Sequence, residues 1–240
     1  MRALLLVLVG CAAAPRPVVA IISAHTEWSA LIGDADPRAV HDTPFGPWLR
    51  EKLGGRDVIL FHGGYAKVSA AASAQYAIDR WHPSLIVNLG TAGGFGGSRH
   101  VGDIVLATDT IVYDILEQMG DPDEAIADYT THLDVSRWPA SLRSRVVLGP
   151  IVSGDRDLVP SELPRLAAKY HASAGDWESG AIAWVATRNH TPVLILRAIT
   201  DLADAPGGDA TYGNTSAWAA ETKRAMAQLH ALLASALPLL

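Results

Sequence analysis

The stretch LIVNLGTAGG, residues 85–94, carries the clearest indication of the fold. It opens with Leu85 to Val87, a short apolar run of the kind that forms a buried strand. The run leads into a cluster of glycines at 90–94, where the backbone can turn sharply and approach other groups closely. A strand that ends in a glycine-rich turn is typical of α/β proteins, in which ligands lie at the carboxyl ends of strands.

Strand and helix patterns alternate on both sides of this stretch. Buried strands are predicted at 18–22, 58–61, 104–107, 146–148, 151–152 and 193–199, and helices at 67–81, after Glu178 and at 216–237. This alternation predicts one α/β domain at 18–240, with three layers and a central mixed β-sheet flanked by helices. The segment 113–145 is polar and poorly periodic, so we expect a long loop or an insertion there, of the kind that often lies over an active site.

The first 17 residues have a composition of their own. A charged start is followed by an apolar run at 3–9, by Cys11 and by small residues, which is the pattern of a secretory signal. Residues 8–11, LVGC, also match a lipobox, so Cys11 is a candidate lipid anchor. We therefore favour a periplasmic or cell-envelope lipoprotein. The alternatives are a buried first strand in a cytoplasmic enzyme and a misplaced start site.

Composition excludes several classes of function. The formal net charge is -6, so no basic surface and no nucleic-acid partner are expected. A single cysteine forms neither an internal disulfide nor a multi-cysteine metal site, and the nine histidines show no close pair at metal-ligand spacing. The chain also lacks a P-loop, a dinucleotide fingerprint, a nucleophile elbow and a zinc-protease helix. No metal or organic cofactor is expected.

Polar residues stand where the predicted strands end. They are Glu27, Thr91, Ser153, Asp155, Glu178, Arg197 and Asp201. Each alone has a structural explanation as a helix cap, a turn hydroxyl or a first-turn acid. Their order along the chain is more informative than any one of them.

These residues belong to segments that resemble the methylthioadenosine/S-adenosylhomocysteine nucleosidases of the nucleoside phosphorylase superfamily. The segments are 18–27 (VVAIISAHTE), 63–71 (GGYAKVSAA), 88–94 (NLGTAGG), 101–105 (VGDIV), 149–155 (GPIVSGD), 176–178 (DWE) and 197–204 (RAITDLAD). The segments 88–94 and 197–204 are the most specific. The resemblance implies cleavage of the N-glycosidic bond of a purine nucleoside, with release of adenine.

The resemblance also implies a role for each candidate residue. Asp201 would protonate N7 of the purine, because negative charge builds on the leaving base. Glu178 would accept hydrogen bonds from the ribose hydroxyls. Glu27 would activate the attacking water, which Thr91 and Arg197 would help to hold. Further substrate contacts are implied for Trp177, for the backbone of Asp157 and Leu158, and for His25.

Two positions depart from the family pattern. Counted without a gap, the acid that activates the water falls on Trp28, one residue after Glu27, so either Glu27 or another group orients the water. Asp157 stands where the family has an aromatic residue that stacks on the purine. We expect a substitute from the segment 113–145 or from a neighbouring subunit.

The acceptor is expected to be water rather than phosphate. Related phosphorylases hold phosphate with arginines, but one such position is Asn88 here, and no arginine occurs between Val18 and Asp36. The alternatives are a phosphorylase, a hydrolase for another nucleoside such as futalosine or a pyrimidine nucleoside, and a non-catalytic nucleoside-binding protein. The presence of Asp201 and Glu178 favours an enzyme. The resemblance further implies a homodimer.

Overall fold

The computed structural model describes residues 15–33, 35–203 and 214–240. Most of the predicted signal segment, including Cys11, lies outside these ranges, so the lipid anchor stays a prediction. Asp204, the last residue of the segment 197–204, also lies outside them. Within the described ranges, no helix is both long enough and apolar enough to cross a membrane.

The described residues form a mixed sheet of ten strands. The strands are β1 (Val18–Ile22), β2 (His41–Asp42), β3 (Pro47–Leu53), β4 (Arg56–His62), β5 (Leu85–Gly94), β6 (Ile104–Val112), β7 (Thr130–His132), β8 (Val147–Ser153), β9 (Ala174–Asp176) and β10 (Val193–Leu202). The α-helices of the same residues are α1 (His25–Ile32), α2 (Ala66–Trp81), α3 (Pro122–Ala127), α4 (Leu163–Tyr170), α5 (Ser179–Arg188) and α6 (Thr215–Ala236).

The centre of the sheet is parallel. β1 pairs in parallel with β4 and β5, and β5 pairs in parallel with β10. From β10 the pairing continues through β6, β8 and β9, and β9 pairs back onto β5. This part of the sheet therefore closes on itself like a small barrel, which leaves no free strand edge there.

Side chains of β1 show how the layers are built. Val18, Ala20 and Ile22 belong to a core that includes buried residues of α1 and α6. Val19 and Ile21 point to the opposite face, where the core includes residues of α2 and α5. A strand that is covered on both faces is apolar at every position, which is why this run was recognisable. The predicted α/β domain of three layers with a mixed sheet is confirmed.

Several elements differ from the predictions. The glycines at 90–94 continue strand β5 rather than forming a turn, because β10 pairs along the whole stretch. The segment 113–145 contains α3 and β7 instead of one long loop. Strand β3 was not predicted, because it lies near the sheet edge and its polar residues face solvent, so that its sequence is not a continuous apolar run.

Candidate active site

A cavity of about 550 Å³ opens where β1, β5 and β10 end. Its wall contains most of the residues predicted for the site: Glu27, Thr91, Asp157, Leu158, Trp177, Glu178 and Asp201. They meet because the parallel strands place their carboxyl ends at one edge of the sheet.

Glu27 is buried and points into this wall. Its Oε1 accepts hydrogen bonds from the backbone N–H of Thr91 at 2.5 Å and from the Thr91 hydroxyl at 2.8 Å. Its Oε2 accepts a hydrogen bond from the backbone N–H of Ala24 at 3.1 Å. Trp28, the other position considered for the acid, is packed into the apolar core. Helix α1 therefore presents Glu27 to the cavity and Trp28 to the core.

Arg197 lies behind the cavity wall, fully buried. Its guanidinium is 2.7 Å from Asp176 Oδ2, 3.3 Å from Glu178 Oε2 and 3.8 Å from Glu27 Oε1. It also donates to Asn88 Oδ1 at 2.8 Å. Arg197 is not among the described residues that line the cavity. The structure therefore differs from the prediction that Arg197 holds the water, and places it where it fixes the carboxylates.

A glycine makes room for this guanidinium. A Cβ atom on Gly90 would lie 2.0 Å from Arg197 Nη1 and 2.9 Å from Glu27 Oε1. Any side chain at this position would displace the arginine or the carboxylate. Gly90 is therefore required for close approach, not for a turn.

Asp176 is a site residue to which the sequence analysis gave no role. It is buried, lines the cavity and forms the shortest of the three carboxylate contacts to Arg197. Ser153 donates to Asp176 Oδ1 at 2.6 Å and accepts from the backbone N–H of Gly180 at 2.9 Å, so Ser153 supports the site from behind. The segment DWE, 176–178, which resembles the family, could have indicated Asp176, but only Trp177 and Glu178 were given roles there.

Asp155, the other strand-end candidate, holds α2 in place. Its Oδ1 accepts from the backbone N–H of Lys67 at 2.8 Å, and its Oδ2 is 3.8 Å from Lys67 Nζ. The same ammonium group pairs with Asp114. Asp155 is not among the described residues that line the cavity.

Burial raises the pKa of Glu178 to about 8. The positive charge of Arg197 opposes this shift, whereas the negative charges of Asp176 and Glu27 add to it. Glu178 Oε1 also accepts from the backbone N–H of Ala66 at 3.2 Å. Burial disfavours the charged form of a carboxyl group, so Glu178 holds its proton more tightly than a glutamate in water does.

Asp201 reaches the cavity from an irregular part of β10. The pairing of β10 with β5 shifts register between Ile199 and Asp201, and such bulges redirect side chains. Thr200 Oγ1 donates to Asp201 Oδ1 at 3.0 Å. A Cβ atom on Gly93 would lie 3.4 Å from Asp201 Oδ2 and 3.1 Å from Leu158 Cδ1, so the absence of a side chain there leaves space between them.

Three aromatic residues line the cavity in the described part of the chain, and only one of them, Trp177, was predicted. They are Tyr65, Trp177 and Trp218. Tyr65 and Trp177 stack on each other, with ring centroids 4.7 Å apart. A substitute was expected from the segment 113–145 or from a neighbouring subunit. None of the residues of the segment is among the described lining residues, and a contribution from a neighbouring subunit stays a prediction.

His25 does not join the other predicted residues. It is exposed at the start of α1, with Nε2 3.4 Å from Ser29 Oγ, and it is absent from the described lining of the cavity. Nothing in this geometry supports its predicted contact with substrate. In residues 15–33, 35–203 and 214–240, no group of three or more His, Cys, Asp or Glu side chains is arranged to hold a metal ion.

The chain is similar in sequence to proteins of one family. A family model described as the phosphorylase superfamily matches residues 19–238. The 5'-methylthioadenosine/S-adenosylhomocysteine nucleosidase of Bacillus thuringiensis (strain Al Hakam) is 30% identical over 198 residues, which cover 77% of this chain and 86% of that protein. The enzyme of the same name from Geobacillus sp. (strain WCH70) is 31% identical over 170 residues, covering 63% of this chain and 71% of the relative.

Solved structures share the fold at lower identity. The nucleosidase of Neisseria meningitidis in complex with methylthio-immucillin-A has a TM-score of 0.72 and 23% identity, and the match covers 93% of this chain and 99% of that one. The nucleosidase of S. pneumoniae with the transition-state inhibitor MT-ImmA has a TM-score of 0.70 and 21% identity, with 90% and 98% covered. The chain thus belongs to the phosphorylase superfamily and, within it, to the 5'-methylthioadenosine/S-adenosylhomocysteine nucleosidase family that its sequence segments predicted.

Proposed function

We propose that this chain hydrolyses the N-glycosidic bond of a purine nucleoside and releases adenine, with 5'-methylthioadenosine, S-adenosylhomocysteine or 5'-deoxyadenosine as substrate. One observation carries the proposal. Glu27, Glu178 and Asp201 come from three distant parts of the chain and line one cavity. The chemistry needs an acid for the base, acceptors for the sugar and a base for the water, and these three carboxyl groups supply them.

Asp201, Glu27 and one water molecule account for every proton and electron pair that moves in the reaction. Asp201 gives a proton to N7 of the purine while the bond between C1' and N9 breaks and its electron pair moves to the base. The ribose gains positive character, as in other glycosidic cleavages. Glu27 takes a proton from water, whose oxygen then bonds to C1'. Neutral adenine and a free ribose derivative are the products.

The remaining side chains hold this arrangement. Glu178 accepts hydrogen bonds from the two ribose hydroxyls, and Trp177 covers the sugar beside it. The backbone at Asp157 and Leu158 faces the purine edge. Thr91 fixes Oε1 of Glu27 through two hydrogen bonds, and Oε2, which accepts one hydrogen bond from Ala24, has a further lone pair for the water. Arg197 keeps Glu178 and Asp176 in place from behind.

The charge of the cavity favours water over phosphate as the acceptor. Its described lining holds five carboxyl groups, those of Glu27, Asp157, Asp176, Glu178 and Asp201. Arg156 is the one arginine in that lining, and it is 3.2 Å from Glu162. A phosphate dianion needs cationic partners and would be repelled by this wall.

The test is adenine release from methylthioadenosine, S-adenosylhomocysteine and 5'-deoxyadenosine, measured with and without phosphate. We expect release that needs no phosphate and falls about a hundredfold or more in Asp201→Asn. The exposed Asp79→Asn on α2 is the matched control and should retain activity. Release that requires phosphate would identify a phosphorylase. Binding of nucleoside without release would identify a receptor.

We also propose that the chain forms a homodimer beside the cavity mouth. Tyr65 and Val68 at the start of α2 are 54% and 81% exposed, and Leu116 and Met119 are 87% and 100% exposed. The ion pair between Lys67 and Asp114 ties these two segments together. Exposed apolar side chains that are grouped in this way are typical of a surface covered by another protein.

A further inference from the structure

The Asp201 side of the cavity contains an aromatic residue that no sequence pattern singled out. Trp218 lines the wall together with Asn214 and Thr215, where α6 begins. Asp201 and Ala203 line the same cavity from the end of β10. The proposed function requires that Asp201 protonates the purine. The lining residues on the same side of the cavity as Asp201 then lie beside the base of the ligand rather than beside its sugar.

The other aromatic residues of the wall are already engaged. Tyr65 and Trp177 stack on each other and stand next to Glu178, on the sugar side. Trp218 makes no ring contact with another aromatic residue of the described chain. Asp157 is exposed and polar, so it offers no flat apolar face to a base. Leu158 also lines the wall, next to Gly93 and Gly175, and it offers the base an aliphatic side chain.

Trp218 lies in the first turn of α6, which is capped and packed into the core. Asn214 caps α6 by accepting a hydrogen bond from the backbone N–H of Ala217 at 3.1 Å. Thr222 is buried and donates to the carbonyl oxygen of Trp218 at 2.8 Å. Further along, Met226, Leu229 and Leu233 are buried in the core. The backbone that carries the indole therefore belongs to a helix whose other end is packed in the core.

We propose that Trp218 is the residue that stacks on the purine, so that α6 supplies the aromatic face that Asp157 cannot. The base lies between the indole and Leu158, with its N7 toward Asp201. This inference rests on the proposed function for the identity of the ligand. Its test, however, is binding of the free base, which does not depend on turnover.

The experiment measures the Kd of adenine by calorimetry, and KM and kcat for methylthioadenosine. Trp218→Ala should raise the Kd of adenine and the KM about tenfold or more, since loss of a base–aromatic stack has an effect of this size. kcat should change by less than about threefold, because no reacting group is removed. Trp218→Phe keeps an aromatic face and should restore most of the affinity. The control is Trp184→Ala, whose indole stacks on Tyr129 outside the cavity.

The outcomes are distinct. Wild-type affinity for adenine in a folded Trp218→Ala variant overturns the proposal. A raised KM with an unchanged Kd for adenine also overturns it, because the ring then contacts the sugar side. A wild-type protein that binds adenine but cleaves no nucleoside refutes the proposed function, while the Kd comparison still decides the role of Trp218. If the wild type binds no adenine, the proposed role of Trp218 fails, whereas adenine release from the nucleosides still decides the proposed function.

Discussion

Arg197 is the residue on which the cavity wall depends. Three carboxylates lie within 3.8 Å of its guanidinium, although all four side chains are buried. Burying a charge without a partner costs several kcal/mol, so the arginine and its carboxylates require one another. A substitution of any one of them changes the electrostatics of the others as well as its own contacts.

Glu27 is expected to act on the chemical step. Glu27→Gln keeps an oxygen that accepts from Thr91 but cannot take a proton from water. We expect kcat to fall about a hundredfold or more, with KM little changed. Steady-state kinetics with methylthioadenosine measure both. Ser29→Ala, on the exposed side of the same helix, is the control. A Glu27→Gln variant with normal kcat would show that another group activates the water.

Glu178 is expected to make stability depend on pH. In the unfolded chain its carboxyl titrates near 4.5, whereas burial raises the pKa in the folded protein to about 8. Between these values the folded protein holds a proton that the unfolded chain has released, so the free energy of unfolding falls as pH rises. Glu178→Gln should show a smaller fall between pH 4.5 and 8.

Urea unfolding at several pH values measures this difference. The exposed Glu124→Gln on α3 is the control and should follow the wild type. Parallel pH profiles for the wild type and Glu178→Gln would contradict the raised pKa. The same variant should also raise KM, because the amide NH2 that replaces one carboxyl oxygen cannot accept a hydrogen bond from the ribose diol.

At the scale of elements, the pairing of β5 with β10 brings Gly90 opposite Arg197. In Gly90→Ala the new methyl group would lie 2.0 Å from Arg197 Nη1. We expect loss of most activity and a destabilisation of about 1–3 kcal/mol, as for overpacking in a core. Gly120→Ala, where a Cβ meets only ordinary contacts with Glu117, is the matched control. Normal activity in Gly90→Ala would mean that the guanidinium is not confined as the structure shows.

Helix α6 contacts β3 through a histidine whose pKa is shifted. His230 Nε2 is 2.9 Å from Glu51 Oε1, and this hydrogen bond raises the pKa of His230, although partial burial opposes the shift. A raised pKa stabilises the fold below the ordinary value of 6.5, and the contribution is lost as pH rises through the raised pKa. His230→Gln should therefore lower the thermal midpoint more at acid than at alkaline pH. An equal loss of thermal midpoint at acid and at alkaline pH would contradict the raised pKa of His230. The exposed His100→Gln is the control.

At the scale of the whole molecule, the apolar residues beside the cavity mouth predict self-association. Light scattering should give about twice the chain mass of 25.4 kDa. Leu116→Asp with Met119→Asp should shift the protein to the monomer, because burying an unpaired charge is unfavourable. Val101→Asp, an exposed apolar site outside this group, is the control. A monomeric wild type would contradict the proposed dimer.

The sequence by itself determined the layers, the family and most of the cavity wall. A parallel strand covered on both faces must be apolar throughout, so β1, the first part of β5 and β10 were visible as runs. Polar side chains at the ends of such strands necessarily share one edge of the sheet. Glu27, Thr91 and Asp201 could therefore be placed together without a structure, and the family resemblance added Glu178.

Only the tertiary structure decided which way the individual side chains point. The choice between Glu27 and Trp28 depends on the rotation of α1, which is fixed by packing of Trp28 in the core. From the sequence, Arg197 was predicted to hold the water and Asp176 had no predicted role, because their contact requires strands that are distant in sequence to pair in a particular register. Trp218 joined the cavity because α6 folds back across the sheet, and this long-range packing leaves no local pattern in the sequence.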